Sequence, residues 1–312
     1  MIDIFCLENN HLKRIKKEEI KLTKSQLLWV DIINITPAEK EFLEKKFMIH
    51  HLILDDFSEE LSSIKVEEFS NYLFCIFYGV QKSENLLIRE FDFILGKNFL
   101  ITNHKENWFN NLKENSEELS FLLKKGPDFL FHTLLDNLVD SYFPVLDDIE
   151  EKLDHFEEEV TITPKKELAS QILHLKKELT SLRKYVFPQR DKISSLATGE
   201  VKFIKKDYYP YYRNLYDHTI KIADFIDSAR DEADTTFEIY MSAVSNNMNE
   251  VMKFLSIIAT TVLPLTVISG IYGTNFHNLP GSVQGNGFWV MIGAMGLLSL
   301  IMILNFKRKK WF

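Results

Sequence analysis

Hydrophobic positions change their period along the chain, and each change predicts a different kind of element. Between residues 27 and 102 they fall in short runs rich in β-branched and aromatic side chains. Leu27–Ile35 (LLWVDIINI), Tyr72–Val80 (YLFCIFYGV), Leu86–Phe93 and Phe99–Thr102 are therefore predicted strands. Thr36-Pro37-Ala38-Glu39 reads as a capping box with proline at the first helical position, opening a helix to about Lys46. Leu119–Leu123 and the segment from Pro127 onward begin a helical region. From about Asp128 the pattern stays helical, with breaks at Thr163-Pro164, at Phe187-Pro188 and near Gly199. One strongly acidic helix is expected over Asp136–Glu159.

Neither glycine nor proline occurs between Pro210 and Pro264, so one long helix is predicted there. Along it Asp217, Asp224, Asp227, Asp231, Asp234 and Glu238 recur at steps of seven, three and four. The same spacing continues through Ser242, Ser245, Asn249, Met252, Ser256, Ala259, Leu263, Thr266, Gly270 and Gly273. A 3.5-residue repeat keeps these on one face. The face begins acidic and becomes small, mildly polar or apolar. A solvated outer face explains the acidic part alone, and a tight dimer interface through the small residues is a competing explanation of the same stripe. The shared face suits a water-filled pathway with an acidic inner vestibule at Asp224, Asp227, Asp231, Asp234 and Glu238. Two helices enclose no pore, so that reading requires several chains around an axis, each acidic position becoming a cation-attracting ring.

Two uninterrupted apolar runs close the chain, Phe254–Tyr272 and Phe288–Phe306, each of 19 residues. That is close to the ~20 needed to span a bilayer core. No Asp, Glu, Lys or Arg occurs from Phe254 to Phe306, and the intervening GTNFHNLPGSVQGNG reads as a loop. Lys253 precedes the first run, and Lys307, Arg308, Lys309 and Lys310 follow the second. The positive-inside rule then places both termini in the cytoplasm and the loop outside. MIDIFCLENN carries no signal-peptide pattern. The expected location is the cell (inner) membrane.

Charge sharpens the division. The net charge is −8, and residues 1–250 hold all 45 acids and all but five of the 37 bases. An acidic body argues against nucleic acid as a partner. Cys6 and Cys75 are too few and too far apart for a disulfide framework or a thiolate zinc module. No P-loop, HExxH or GxSxG is present, so no enzyme site and no pumping ATPase is read within this chain.

NEVMKFLSIIATTVLPLTVISGIYGTNF and the closing FKRKKWF resemble the CorA family of divalent-metal transporters, two-span proteins with a Gly-x-Asn signature. The signature Tyr-Gly-Met-Asn-Phe corresponds to Tyr272-Gly273-Thr274-Asn275-Phe276. The resemblance fades through YYRNLYDHTIKIADFID, and residues 1–200 are compatible in layout. It implies an α+β cytoplasmic domain plus a long stalk helix and two C-terminal transmembrane helices, assembled as a homopentameric funnel. The expected segments are 1–128 (α/β domain), 129–205 (helical region), 206–272 (stalk and first span), 273–287 (outer loop), 288–306 (second span) and 307–312 (basic tail). It implies Mg²⁺ moving down its electrochemical gradient, with no cofactor beyond transported or regulatory Mg²⁺ and with Zn²⁺, Co²⁺ or Ni²⁺ as alternatives. Gly273, Thr274 and Asn275 would form the pore mouth. Asn249, Met252, Leu255, Ser256, Ala259, Leu263, Thr266 and Gly270 would line the pore, Met252 and Leu255 as its inner hydrophobic constriction.

The chain departs from the family pattern in three places. Thr274 replaces the signature Met, a position where the zinc-transporting branch also departs. Phe276–Gly287 lacks an acidic residue, which leaves His277 as its one titratable side chain. A ring of such histidines would favour Zn²⁺ or make uptake pH-sensitive; an exposed loop histidine without a role is the plainer reading. Asn214 stands where the resemblance implies a carboxylate for a regulatory metal, with Asp217 and His218 as neighbouring candidates. A Zn²⁺ transporter on the same scaffold is thus one alternative. A membrane-anchored sensor or interaction protein is another.

Overall fold

The computed structural model describes all residues except 24, 58–61, 83–85, 163–164, 200, 275–278, 282–284, 310 and 312. The chain forms two units, Met1–Glu159 with Lys165–Thr236, and Val160–Pro164 with Phe237–Phe312.

The first unit is built on a seven-stranded sheet: β1 (Ile2–Glu8), β2 (His11–Arg14), β3 (Leu27–Ile33), β4 (Lys65–Glu68), β5 (Tyr72–Gln81), β6 (Leu87–Gly96) and β7 (Phe99–His104). The spatial order is β2-β1-β3-β7-β6-β5-β4. Only β3 and β7 pair in parallel; the other neighbours are antiparallel. The four predicted strands are present with small boundary shifts. Leu27–Ile35 stops at Ile33 because Asn34 turns left-handed (φ 55°) and Thr36 begins to cap a helix. The β1–β2 hairpin was not predicted. Asn9 and Asn10 both have positive φ (50° and 65°), as a two-residue turn of matching twist demands.

Nine helices accompany the sheet among the described residues: α1 (Pro37–Phe47), α2 (His51–Asp56), α3 (Asn110–Glu114), α4 (Ser116–Lys125), α5 (Pro127–Asp140), α6 (Phe143–Ile162), α7 (Lys166–Ala197), α8 (Tyr209–Tyr272) and α9 (Gly287–Arg308). The capping box that opens α1 is formed: the Thr36 backbone N–H donates to Glu39 Oε2 at 2.9 Å and Glu39 N–H donates to Thr36 Oγ1 at 3.4 Å. Leu43 and Phe47 of α1 and Ile53 and Leu54 of α2 join Val30, Ile32, Phe74, Ile76 and Ile94 in one buried cluster. Phe131 of α5 meets Phe93 edge-on at 5.2 Å.

Two helical expectations are corrected. Asp136–Glu159 is not one helix, because α5 ends at Asp140 and α6 begins at Phe143. Ser141 and Tyr142 between them serve the sheet instead: Val80 N–H donates to Ser141 Oγ (3.0 Å) and the Tyr142 hydroxyl to Tyr78 O (3.2 Å). Nor does Phe187-Pro188 break α7. Leu182, Val186, Gln189, Ile193 and Leu196 form a buried face running through the proline, and that packing outweighs one lost backbone hydrogen bond. The expected break at Thr163-Pro164 lies outside the described residues. The break near Gly199 is present, where φ is +83°.

Buried polar groups pin these layers. Asp31, wholly buried, accepts from Thr102 Oγ1 (2.5 Å), pairs with His104 Nε2 (2.8 Å) and receives Lys113 Nζ of α3 (2.9 Å). Burial opposes its ionisation, but the bonds and charges of His104 and Lys113 outweigh burial and hold Asp31 below the ordinary carboxylate range. A depressed carboxyl stabilises the fold fully above its unfolded value, about pH 4, and that contribution is lost as pH falls through the folded value. Acid titration of Trp29 fluorescence should therefore show a loss of order below about pH 4, and Asp31→Asn should remove that acid-dependent step. Tyr78 N–H donates to Gln189 Oε1 of α7 at 2.7 Å in a buried setting. Gln189→Ala should cost about 1–3 kcal/mol, the penalty of an orphaned buried donor, read as a lower unfolding midpoint.

Candidate functional site

Two helices, α8 and α9, are long and apolar enough to cross a membrane, and their apolar windows are wholly unburied. α8 carries the striped face. It is a single helix through Pro264, so the 3.5-residue repeat runs without a phase change.

Within the first unit the acidic part of the stripe divides in two. Asp227 accepts from Arg183 Nε of α7 at 2.9 Å, and Asp234 pairs with Lys176. Both expected vestibule residues are thus neutralised by their own chain. Asp224 and Asp231 are exposed and make no ion pair among the described residues. One face of α8 therefore holds two kinds of carboxylate, which spacing alone does not separate.

Within the second unit Glu238 and Asn249 are exposed, as are Met252 (57%), Leu255 (52%), Ala259 and Leu263 (66%), while Ser256 is half-buried. Thr266 Oγ1 donates to Val262 O at 2.9 Å, and Thr274 Oγ1 donates to Ile271 O at 2.7 Å. Each hydroxyl hydrogen is spent inside the helix, so the oxygens face outward as acceptors. A Cβ on Gly270 would meet nothing within 4 Å, whereas one on Gly273 would lie 3.2 Å from Ser269 O. Contacts within one chain thus give no reason for glycine at 270. Asn275 and His277 lie outside the described residues.

The tail ends α9. Lys307 and Arg308 occupy its last turn and Lys309 its C-cap, where cations complement the helix dipole. Trp311 stacks on Phe306 at 5.4 Å. Lys310 lies outside the described residues.

His218 is drawn into a group that sequence reasoning missed. Its Nδ1 lies 3.8 Å from Asp140 Oδ1, and donor atoms of Asp136, Asp140 and His218 all lie within 4.8 Å of one another. Phe143 packs edge-on against the imidazole at 5.9 Å. His218 Nδ1 is buried and lacks a hydrogen-bond partner. Burial raises Asp136, partly offset by His218; burial and the Asp136 charge raise Asp140, again offset by His218. The i, i+4 spacing of two aspartates on α5 was available as a signal. Their meeting with a histidine of α8 was not. Asn214 and Asp217 are exposed, and Asp217 is outside this group.

Two helices long and apolar enough to cross a membrane, joined to an acidic α+β body, define the architecture of a candidate membrane protein. Comparison with known proteins supplies the family. Residues 24–308 match the model of the CorA-like Mg²⁺ transporter proteins. The chain is 38% identical over 290 residues to the cobalt/magnesium transport protein CorA of Thermotoga maritima, covering 91% of this chain and 83% of that one. It is 21% identical over 299 residues to the zinc transport protein ZntB of Yersinia pestis, covering 92% and 88%. The solved CorA magnesium transporter from Methanocaldococcus jannaschii superposes with a TM-score of 0.86 at 23% identity, covering 100% and 99%. The chain belongs to the CorA-like family of divalent-cation transporters.

Proposed function

We propose that the chain is a channel-like Mg²⁺ transporter in which the stripe on α8 lines a water-filled path. The carrying observation is the continuity of that stripe along one unbroken helix, from exposed acids into an exposed, charge-free membrane segment. Several copies, five by family resemblance, would surround the axis, with both termini cytoplasmic. The ion would move with its electrochemical gradient.

Mg²⁺ sheds its waters reluctantly. A hydrated Mg²⁺ presents hydrogens outward, so the wall needs acceptors rather than donors. Thr266 and Thr274 are prepared for this, since each hydroxyl hydrogen is already engaged. Asn275 would add an amide oxygen at the mouth, beside Gly273, and Asn249 one further in. Neutral oxygens hold a hydrated ion weakly enough to release it. Met252 and Leu255, exposed in the single chain, would close the path by dewetting. Asp224, Asp231 and Glu238 would concentrate cations at the inner end.

Asp136, Asp140 and His218 would hold a cytoplasmic regulatory cation in place of the Asn214-centred site. One imidazole with two carboxylates favours Co²⁺, Ni²⁺ or Zn²⁺ over Mg²⁺. Zinc as cargo is the second reading, favoured by Thr274 in place of the signature Met.

Reconstituted protein in liposomes with a Mg²⁺-sensitive dye, under an inside-negative potential, tests the path. Asn275→Ala should lower Mg²⁺ entry about tenfold or more with the oligomer intact. Zn²⁺ entry without Mg²⁺ entry would move the chain to the zinc reading, and equal entry in both proteins would exclude the Asn275 ring. Isothermal titration with Co²⁺ tests the regulatory group. His218→Ala should weaken one class of sites about tenfold. Because the cation must compete with protons for two carboxyls with raised values, affinity should fall as pH is lowered from about 7 to 5. Unchanged affinity in the variant would remove His218 from the site.

A further inference from the structure

A second, chemically different group lies within the sheet of the first unit. Glu90 and Asp92 are two residues apart on β6 and so project from the same face. Asp92 pairs across the ladder with Asn103 of β7, and Glu90 with Tyr78 of β5. Asp92 is 3% exposed and Asn103 6%, while Glu90 is half-buried.

Hydrogen-bond accounting in this group does not close. Asn103 Nδ2 donates to Asp92 Oδ2 (2.7 Å) and to Phe57 O (3.1 Å), which fixes the amide orientation. Asp92 Oδ1 and Asn103 Oδ1 are then buried with no partner, and Ser62 Oγ likewise has none. The Tyr78 hydroxyl lies 2.5 Å from Ser62 O and 2.7 Å from Glu90 Oε2, with one hydrogen for two acceptors. Glu90 Oε2 also accepts from Ser62 N–H at 2.8 Å, but nothing donates to Asp92 Oδ1 or Asn103 Oδ1, and the two carboxyls stand within hydrogen-bond reach of each other. Burial comes first among the causes that push Asp92 well above the carboxylate range, with the Glu90 and Asp56 charges adding to it. Asp56, whose charge adds to this, itself pairs with Lys65 Nζ at 2.7 Å.

We propose that Glu90, Asp92 and Asn103 form an oxygen-only site for a hard divalent cation of the Mg²⁺ class, at the pairing of β6 with β7. One shared proton would serve one acceptor. A cation draws on several lone pairs at once, which matches the number left bare. Asp92 Oδ1 and Glu90 would supply the charge, Asn103 Oδ1 a neutral oxygen, and water the rest of the shell that Mg²⁺ requires. The half-exposed Glu90 gives the ion its way in. Lacking nitrogen and sulfur, the site should prefer Mg²⁺ and Mn²⁺ to Zn²⁺, the reverse of the histidine group on α8. The site does not depend on the pore reading, and its test involves no transport.

Mn²⁺ is the probe. Crystals of the full-length protein soaked in Mn²⁺ should show an anomalous peak bonded to Asp92 at about 2.1 Å. Equilibrium dialysis of the detergent-solubilised protein should retain one Mn²⁺ fewer per chain in Asp92→Asn than in wild type, and excess Zn²⁺ should displace this ion poorly. The amide is isosteric and neutral, so the variant should fold; its thermal transition checks that. No peak at Asp92 in the wild-type crystals, or equal Mn²⁺ retention in a folded Asp92→Asn, would overturn the site and leave a carboxyl pair sharing a proton.

Discussion

The hydrogen-bond ladder of α8 is the constraint on which the chain's design depends. It covers 64 residues, roughly 95 Å at helical rise, about three times a hydrocarbon core. A helix of that length keeps one angular register from a charged end to an apolar end only if nothing interrupts it. Pro264 removes one donor, yet the helix continues through it. Hydroxyls on either side, Thr261 and Thr266, bond back to the carbonyls of Ile257 and Val262, neither of which is the Thr260 carbonyl that Pro264 leaves without its helical donor. A break at 264 would turn the outer end of the stripe, Thr266 and Gly270, to another face.

That register has a cost that the single chain does not meet. Met252, Leu255 and Leu263 are more than half exposed, and Gly270 has open space where a side chain would fit. Soluble proteins rarely leave such surface bare. Lipid explains exposed apolar residues. It does not explain why the exposed face of α8 also carries Asn249 and Ser256 in phase with the acids. The proposed path would meet both demands together, by turning the face from lipid toward other copies and water. The acids of α8 fit the same logic once their roles are separated. Asp227 and Asp234 tie α8 to α7 through Arg183 and Lys176, while Asp224 and Asp231 keep their charge outward.

Local signals made much of this legible. The capping box of α1, the breaker-free stretch of α8 and the charge-free tail each act through neighbours in sequence, and each appears as read. The misses are tertiary. Pro188 predicts a break, but a buried face spanning Leu182 to Leu196 carries α7 through it. The run of acids over Asp136–Glu159 predicts one helix, but Ser141 and Tyr142 are drawn off to β5. The β1–β2 turn was available in Asn9-Asn10, a pair suited to positive φ, and was overlooked for want of glycine. For the membrane face, spacing found the stripe but not the division of its acids, because Arg183 and Lys176 lie more than 40 residues away in sequence.

The same distance effect governs the two polar groups outside the stripe. His218 is 78 residues from Asp140, and Asn103 is 11 from Asp92; neither group forms a motif. Each becomes visible only as unfinished accounting, a buried acceptor with no donor. In a fold where Asp31 is satisfied on both oxygens by Thr102, His104 and Lys113, unsatisfied oxygens at Asp92 and Asn103 are not a general looseness of packing. The network around Asp31 takes its cation from the protein itself, in Lys113, with His104 as a hydrogen-bond partner. Around Asp92 the bare oxygens face a second carboxyl, Glu90, instead. What balances them is either a proton shared by the two carboxyls or, as proposed, a divalent cation drawn from solvent.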